Sequence, residues 1–322
     1  MKIYRSLAEV PSDFGPSALT IGNFDGVHYG HRKILRRLVA LAEEHGWKPS
    51  VLTFDPHPTC VVRPDRAPRL LTTPERRAEL MREEAIEQVL ILPFTREVAA
   101  LTPQEFVDQI LVARLAVRAV LVGENFRFGN RQTGNVVQLA DFGRRLGFET
   151  ETIPTVICRG RVVSSSGIRE AILAGRVALA GRLLQHPYGL DGDVVKGHGV
   201  GARQTVPTLN LATRAEVVPA RGVYLTRTAD LDSSRAWNSI SNVGYRPTFG
   251  ASDVLSIETF LLDPFDDPTP RRIRVDFLCR VRDERQFESP EALKAQILRD
   301  VRCAHSYFRR VKAWLSRPLT RA

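Results

Sequence analysis

The chain has 322 residues, 43% hydrophobic and 25% charged, which suits a soluble protein of two domains, each able to bury a core. Its formal charge of +10 is dispersed in pairs such as Arg36-Arg37, Arg76-Arg77, Arg144-Arg145, Arg271-Arg272 and Arg309-Arg310, so solvated surface is expected rather than a nucleic-acid stripe. No apolar run reaches the roughly 18 residues of a membrane span, Met1 to Arg5 opens no secretion signal, and Cys60, Cys158, Cys279 and Cys303 form no C-x-x-C pair. A cytoplasmic protein whose basic surface would also suit small phosphorylated ligands is therefore expected, with no nucleic acid, membrane or obligate protein partner.

In chain order, residues 18–21 read as a strand, residues 22–31 as a glycine-rich turn and residues 32–45 as a helix with leucines at helical spacing. Further strands are predicted at 50–54, 88–92 and 119–122, with helices at 74–86 and 103–112 between them. This alternation predicts an α/β layer around a parallel sheet, covered on both faces, with ligands at the carboxyl ends of its strands. Beyond residue 184 the texture turns to β, with strands predicted at 193–195, 222–226, 236–243, 256–262 and 273–278. A compact antiparallel barrel or sandwich follows, closed by a helix over 290–302 that is apolar at Leu293, Ile297 and Leu298. The hinge is expected at 185–189, giving domains 1–184 and 185–322.

The segment Gly22-Asn23-Phe24-Asp25-Gly26-Val27-His28-Tyr29-Gly30-His31 follows the first strand and opens the first helix. Unpaired backbone N–H groups and the helix dipole favour an anion there. The glycines admit a nucleotide close to the backbone, and His28 and His31 can set two imidazoles beside one phosphate. No G-K-[ST] follows, so this is not a Walker loop. Nucleotidyl transfer asks for such donors and in-line positioning and needs no protein nucleophile. Downstream, Ser164-Ser165-Ser166-Gly167-Ile168-Arg169 suits either a plain helix cap with a solvated charge or hydroxyls and an arginine for ATP phosphates.

The two segments together resemble the nucleotidyltransferases marked by H-x-G-H and an S/T-rich I-R element. With Thr53 to Pro58, Leu70 to Thr73 and Gly123 to Gly129 between them, their order is similar to that of bacterial bifunctional riboflavin kinase/FMN adenylyltransferases. The resemblance implies a Rossmann-like nucleotidyltransferase domain in which His28 and His31 polarise ATP phosphates. Gly22, Phe24, Asp25 and Gly30 would belong to the nucleotide loop, and Ser164, Ser165 and Arg169 would complete the phosphate site. Asn125, His57 and Phe128 would border the flavin; Asn125 stands where many relatives carry Asp, and an amide there carries no charge for acid–base work.

In the second half, Gly192 to Gly201, including Gly197, is glycine-rich, and Val206-Pro207-Thr208-Leu209-Asn210-Leu211 follows. Thr208 and Asn210 offer oxygen ligands suited to Mg²⁺, although by spacing alone a flexible hairpin loop followed by a Pro-Thr turn is the favoured reading. The order of Pro207 to Asn210, Gly222-Val223-Tyr224, Asn242 to Phe249 and Glu258 resembles riboflavin kinases. That implies a small β-barrel kinase in which Glu258 is the general base on riboflavin and Thr208 and Asn210 hold Mg²⁺ and ATP. Ala202, Thr205 and Pro268 to Pro270 depart from the family pattern, leaving as alternative an FAD synthetase with an inactive kinase-like half.

Overall fold

A computed structural model describes residues 1–195, 208–233, 235–248, 251–263 and 268–315. They cluster into two units, Met1–Gly167 and Ile168–Ala322.

The first unit opens with β1 (Lys2–Tyr4), β2 (Ser17–Ile21), α1 (Tyr29–His45), β3 (Lys48–Asp55), α2 (Pro58–Val62), α3 (Pro74–Glu83) and β4 (Gln88–Pro93). After α4 (Arg96–Ala100), α5 (Pro103–Glu105) and a π-helical stretch Phe106–Val112 come β5 (Val117–Gly123), the ribbon β6 (Arg127–Phe128) and β7 (Gly134–Asn135), α6 (Val136–Leu146) and β8 (Glu149–Ile153). A hairpin of β9 (Ile157–Cys158) and β10 (Arg161–Val162) ends it.

Six strands pair in parallel in the order β1-β4-β3-β2-β5-β8. Alternate residues feed opposite faces, as the strand pleat requires. Leu19, Ile21, Leu52, Leu90, Val120 and Val122 join one core, and Ala18, Val51, Val89, Ile91, Ala119 and Leu121 the other. Each fully buried Leu or Val contributes roughly 1.5–3 kcal/mol, so the uninterrupted apolar runs that predicted these strands also hold helices on both faces. β3 lies on one side of β2 and β5 on the other. That reversal opens a crevice beyond the carboxyl ends of β2, β3 and β5, where the glycine-rich turn lies. β1, α6 and β8 were not anticipated.

α7 (Ser165–Leu173) leads to α8 (Val177–Leu184), and the barrel follows as β11 (Tyr188–Val195), β12 (Thr208–Ala212), β13 (Gly222–Asp230), β14 (Ala236–Thr248), β15 (Ala251–Leu261) and β16 (Arg272–Arg282). The strands close antiparallel in the order β11-β12-β15-β14-β13-β16, with β16 paired back to β11, and α9 (Pro290–Leu315) follows. The expected hinge at 185–189 is partly strand, because Tyr188 and Gly189 already pair with Phe277 and Asp276.

Inside the barrel, Leu190, Leu211, Val243, Val275 and Phe277 are buried around a chain of hydroxyls. Thr228 meets Ser239, Ser239 meets Thr226, Thr226 meets Ser241 and Ser241 meets Thr259, each at 2.8 Å. The closing helix does not pack as its apolar residues suggest. Leu293, Ile297 and Leu298 are exposed, and the buried face carries Gln296, Asp300 and Ala304. Polar burial is stabilised there by partners, since Arg282 Nη2 donates to Asp300 at 2.9 Å and Gln296 Nε2 donates to Asp300 at 2.7 Å.

Candidate active site

The turn after β2 enters α1 through His28, which is its N-cap. The His28 Nδ1 accepts the His31 backbone N–H at 3.3 Å, so the neutral ring carries its proton on Nε2. The His28 and His31 rings stack with centroids 3.6 Å apart and planes 12° from parallel. Gly30 leaves room for this arrangement, since a Cβ there would lie 3.2 Å from the His28 ring. His31 is held well below the usual histidine range by burial first, then by His28 and Arg77. Two stacked imidazoles, His31 kept neutral by its burial, therefore sit at a helix N-terminus, a setting suited to phosphate oxygens.

Around this pair the backbone is tied down. The Asp25 carboxylate accepts from the N–H groups of Leu71 at 2.9 Å and Thr72 at 3.1 Å, and Gly26 N–H donates to Thr72 Oγ1 at 3.0 Å. Ser165 Oγ donates to the Asp25 carbonyl at 3.0 Å, and Ser164 Oγ accepts the Gly167 N–H at 3.2 Å, capping α7. Ser165 thus meets the histidine loop from 140 residues away in sequence. Arg169 stands one turn further along α7. Phe24 is 2% exposed, its ring 5.0 Å from that of His31, and it braces the imidazole from the core side. Phe24 and Val27 adopt φ of 50° and 39°, a left-handed backbone that is costly for such residues and collects at functional turns.

Beside the loop a cavity of about 950 Å³ is lined by Gly22, Asn23, His57 and the aromatics Phe54, Phe94, Phe106, Phe126 and Phe128. Its size and apolar walls suit a fused-ring ligand. Phe126 stacks on Phe128 with centroids 5.5 Å apart. His57 opens α2, its Nδ1 accepting the Thr59 N–H at 3.2 Å. Asn125 lies in the exposed turn after β5, next to Phe126 but not among the lining residues. Sequence reasoning passed over Arg77 and Asn23. Arg77, read as part of a solvated pair, is 3% exposed. Its guanidinium is pushed down by burial against the opposing pull of Asp25, Asp55 and Glu75. Its Nη1 donates to the Asn23 carbonyl at 2.7 Å. A basic pair in an amphipathic helix gives no sign of which member turns inward.

In the barrel, β12 forms where a Pro-Thr turn was an open reading. Asn210 pairs across to Glu258, and Glu258 to Asn242 on the next strand. Ile257 and Thr259 point into the barrel, so the intervening Glu258 points outward. Leu209 is buried between Thr208 and Asn210, which sets those two on the outer face with the carboxylate. Ser256 Oγ donates to Glu258 at 3.4 Å. Gly197, Ala202 and Thr205 lie outside the described residues. Pro268 and Thr269 are exposed and Pro270 is buried before β16.

The chain was compared with known proteins. A family model described as FAD synthetase matches residues 10–167, and one described as riboflavin kinase matches residues 184–308. The bifunctional riboflavin kinase/FMN adenylyltransferase of Escherichia coli K12 is 36% identical over 96% of this chain and 98% of its own length. That of Pseudomonas fluorescens is 37% identical over 95% and 97%. A crystal structure described as a macrolide-efflux protein from Streptococcus pneumoniae is 25% identical, covers 94% of this chain and 98% of its own, and superposes with a TM-score of 0.84. Efflux stays with that description; among the described residues no helix here is long and apolar enough to cross a membrane. With relatives above a third identical along nearly the whole length, the chain belongs to the bifunctional riboflavin kinase/FMN adenylyltransferase family.

Proposed function

We propose that the chain makes FAD in two steps, phosphorylating riboflavin to FMN with ATP in residues 185–322 and transferring the adenylyl group of a second ATP to FMN in residues 1–184. The observation that carries the second step is the stacked His28–His31 pair at the start of α1, beside an aromatic cavity of about 950 Å³. A phosphate oxygen of FMN attacks the α-phosphorus, and pyrophosphate leaves. His28, His31 and the helix N-terminus stabilise the charge on the non-bridging oxygens. Gly22 and Gly30 let the phosphates approach, and Ser164, Ser165 and Arg169 hold the rest of the ATP chain. His57, Phe128 and Asn125 border the flavin. Asp25 and Phe24 act behind the loop, one on amides and one on the His31 ring.

For the first step, Glu258 accepts the proton of the riboflavin 5′-hydroxyl as that oxygen attacks the γ-phosphorus. Thr208 and Asn210 hold the ATP phosphates beside it, and Gly197, outside the described residues, is assigned to the same ligand from its glycine-rich sequence. The Thr208 hydroxyl and Asn210 amide are oxygen donors on the outer face that carries Glu258, a set that fits Mg²⁺. When bound, Mg²⁺ supplies positive charge to the phosphates in both steps. The 185 boundary is supported by the riboflavin-kinase match beginning at 184, and the reducing cytoplasm suits four free cysteines.

Purified protein supplied with riboflavin as sole flavin, ATP and Mg²⁺ should yield FMN and then FAD by chromatography. FAD formed from added FMN but no FMN formed from riboflavin at any protein concentration would overturn the kinase assignment.

A further inference from the structure

Asn23 stands where the histidine loop meets the aromatic cavity, and both its backbone and its side chain are held. Its carbonyl accepts from Arg77 Nη1 at 2.7 Å and from Thr53 Oγ1 at 3.3 Å, and both donors belong to residues at most 3% exposed. Its side-chain amide lies 2.9 Å from His57 Nε2.

The orientation of that amide follows from the other face of the imidazole. His57 Nδ1 accepts the Thr59 backbone N–H, so a proton on Nδ1 would set donor against donor. The neutral ring therefore carries its proton on Nε2, and Nε2–H needs an acceptor. Nδ2 of Asn23 is the atom placed at 2.9 Å from Nε2, and exchanging the amide's O and N, which its shape does not distinguish, turns the oxygen to the ring as the hydrogen-bond pattern requires. With its oxygen engaged, the amide NH₂ turns the other way. Asn23 is a wall of the cavity at its Gly22 end.

We propose that Asn23 is a specificity-determining residue for adenylyl transfer, its NH₂ donating to the terminal phosphate of FMN, with His57 the positioning residue that fixes the amide. The inference rests on FMN being the acceptor. One phosphate oxygen is held by Asn23 while another forms the bond to the α-phosphorus of ATP. The bond from that phosphorus to pyrophosphate breaks, its electron pair leaves with pyrophosphate, and no proton passes through Asn23 or His57. Riboflavin has no phosphate for the NH₂, so the contact also separates the two flavins at this site.

Asn23→Asp keeps the shape and replaces the donor by an oxygen. It should raise the KM for FMN about tenfold or more, the cost of losing a hydrogen bond to a charged group, with the KM for ATP within about twofold. Asn23→Ala, which removes the amide without adding charge, should raise the KM for FMN in the same sense and serves where the Asp variant does not fold. His57→Ala should raise the KM for FMN with little change in kcat, and adding it to Asn23→Ala should cost little more, because both act through one contact. Folded Asn23 variants with an unchanged KM for FMN, or with the KM for ATP raised equally, overturn the proposal. Wild-type protein that forms FAD from FMN while those variants do the same leaves the function standing and removes only Asn23. Wild-type protein that releases no pyrophosphate from ATP and FMN removes the acceptor reading itself.

Discussion

His28 serves two purposes with one ring. Its Nδ1 closes the first turn of α1, which is the structural reading a histidine in that position would receive by itself, and the same bond fixes the proton of the neutral ring on Nε2. His31 is neutral for a different reason, being buried against His28 and near Arg77. Its depressed pKa has a thermodynamic sign. In the unfolded chain the imidazole takes up its proton near pH 6.5, whereas the folded protein refuses it until lower pH. Stability is therefore full above about 6.5 and falls as pH drops toward the folded value, by at most about 1.4 kcal/mol per pH unit for this one proton. Melting temperatures between pH 7.5 and 5 should decline less steeply in His31→Gln than in the wild type, and equal slopes would place the titration elsewhere. The H-x-G-H spacing was legible because it is local. The Asn23–His57 contact was not, since it spans 34 residues and exists only because β2 and β3 are neighbours.

At the scale of elements, α1 is aimed by an ion pair that the sequence shows only as scattered charges. Arg32 and Glu84 are 6% and 8% exposed and bonded to each other, and Arg36 Nε donates to Glu84 at 2.7 Å. The pair fastens α1, one turn beyond the histidines, to the end of α3. Glu84→Gln leaves the Arg32 charge buried. Glu83 stands 3.5 Å from Arg32 and takes part of the load, so the cost should be about 3 kcal/mol, at the low end for breaking a buried pair. Urea unfolding of the first unit checks this, and FAD formation should fall with it. The main strands were readable from apolar runs. β8 was not, because ETETI is polar and only Ile153 is buried in it, and α9 misled because the buried side of its first half is polar, at Gln296 and Asp300. Burying Asp300 and Gln296 is tolerable only with Arg282 in place, a partner on another element.

For the molecule as a whole, two separate chemistries on two units imply that each can be disabled alone. His28→Ala should lower FAD formation from FMN by at least about a hundredfold, as for loss of a donor on a developing oxyanion, and leave FMN formation intact. Glu258→Gln should do the reverse, since an amide cannot take the hydroxyl proton. Separate assays of pyrophosphate and ADP read the two outcomes, and a parallel loss of both in a folded variant contradicts the division. The net charge of +10 suits anionic substrates at either site without requiring a polymer.

The hydroxyl chain inside the barrel has a consequence for how the barrel finds its pairing. Packing by aliphatic side chains tolerates a sliding neighbour, because one methyl group replaces another. Hydroxyls at 2.8 Å do not. A one-residue slip of β14 would turn Ser239, Ser241 and Val243 outward and bring Ile240 and Asn242 inward, stranding Thr226, Thr228 and Thr259 without acceptors in a dry interior. The five small alcohols thus act as an alignment key, rejecting near-miss barrels that an all-aliphatic interior would admit.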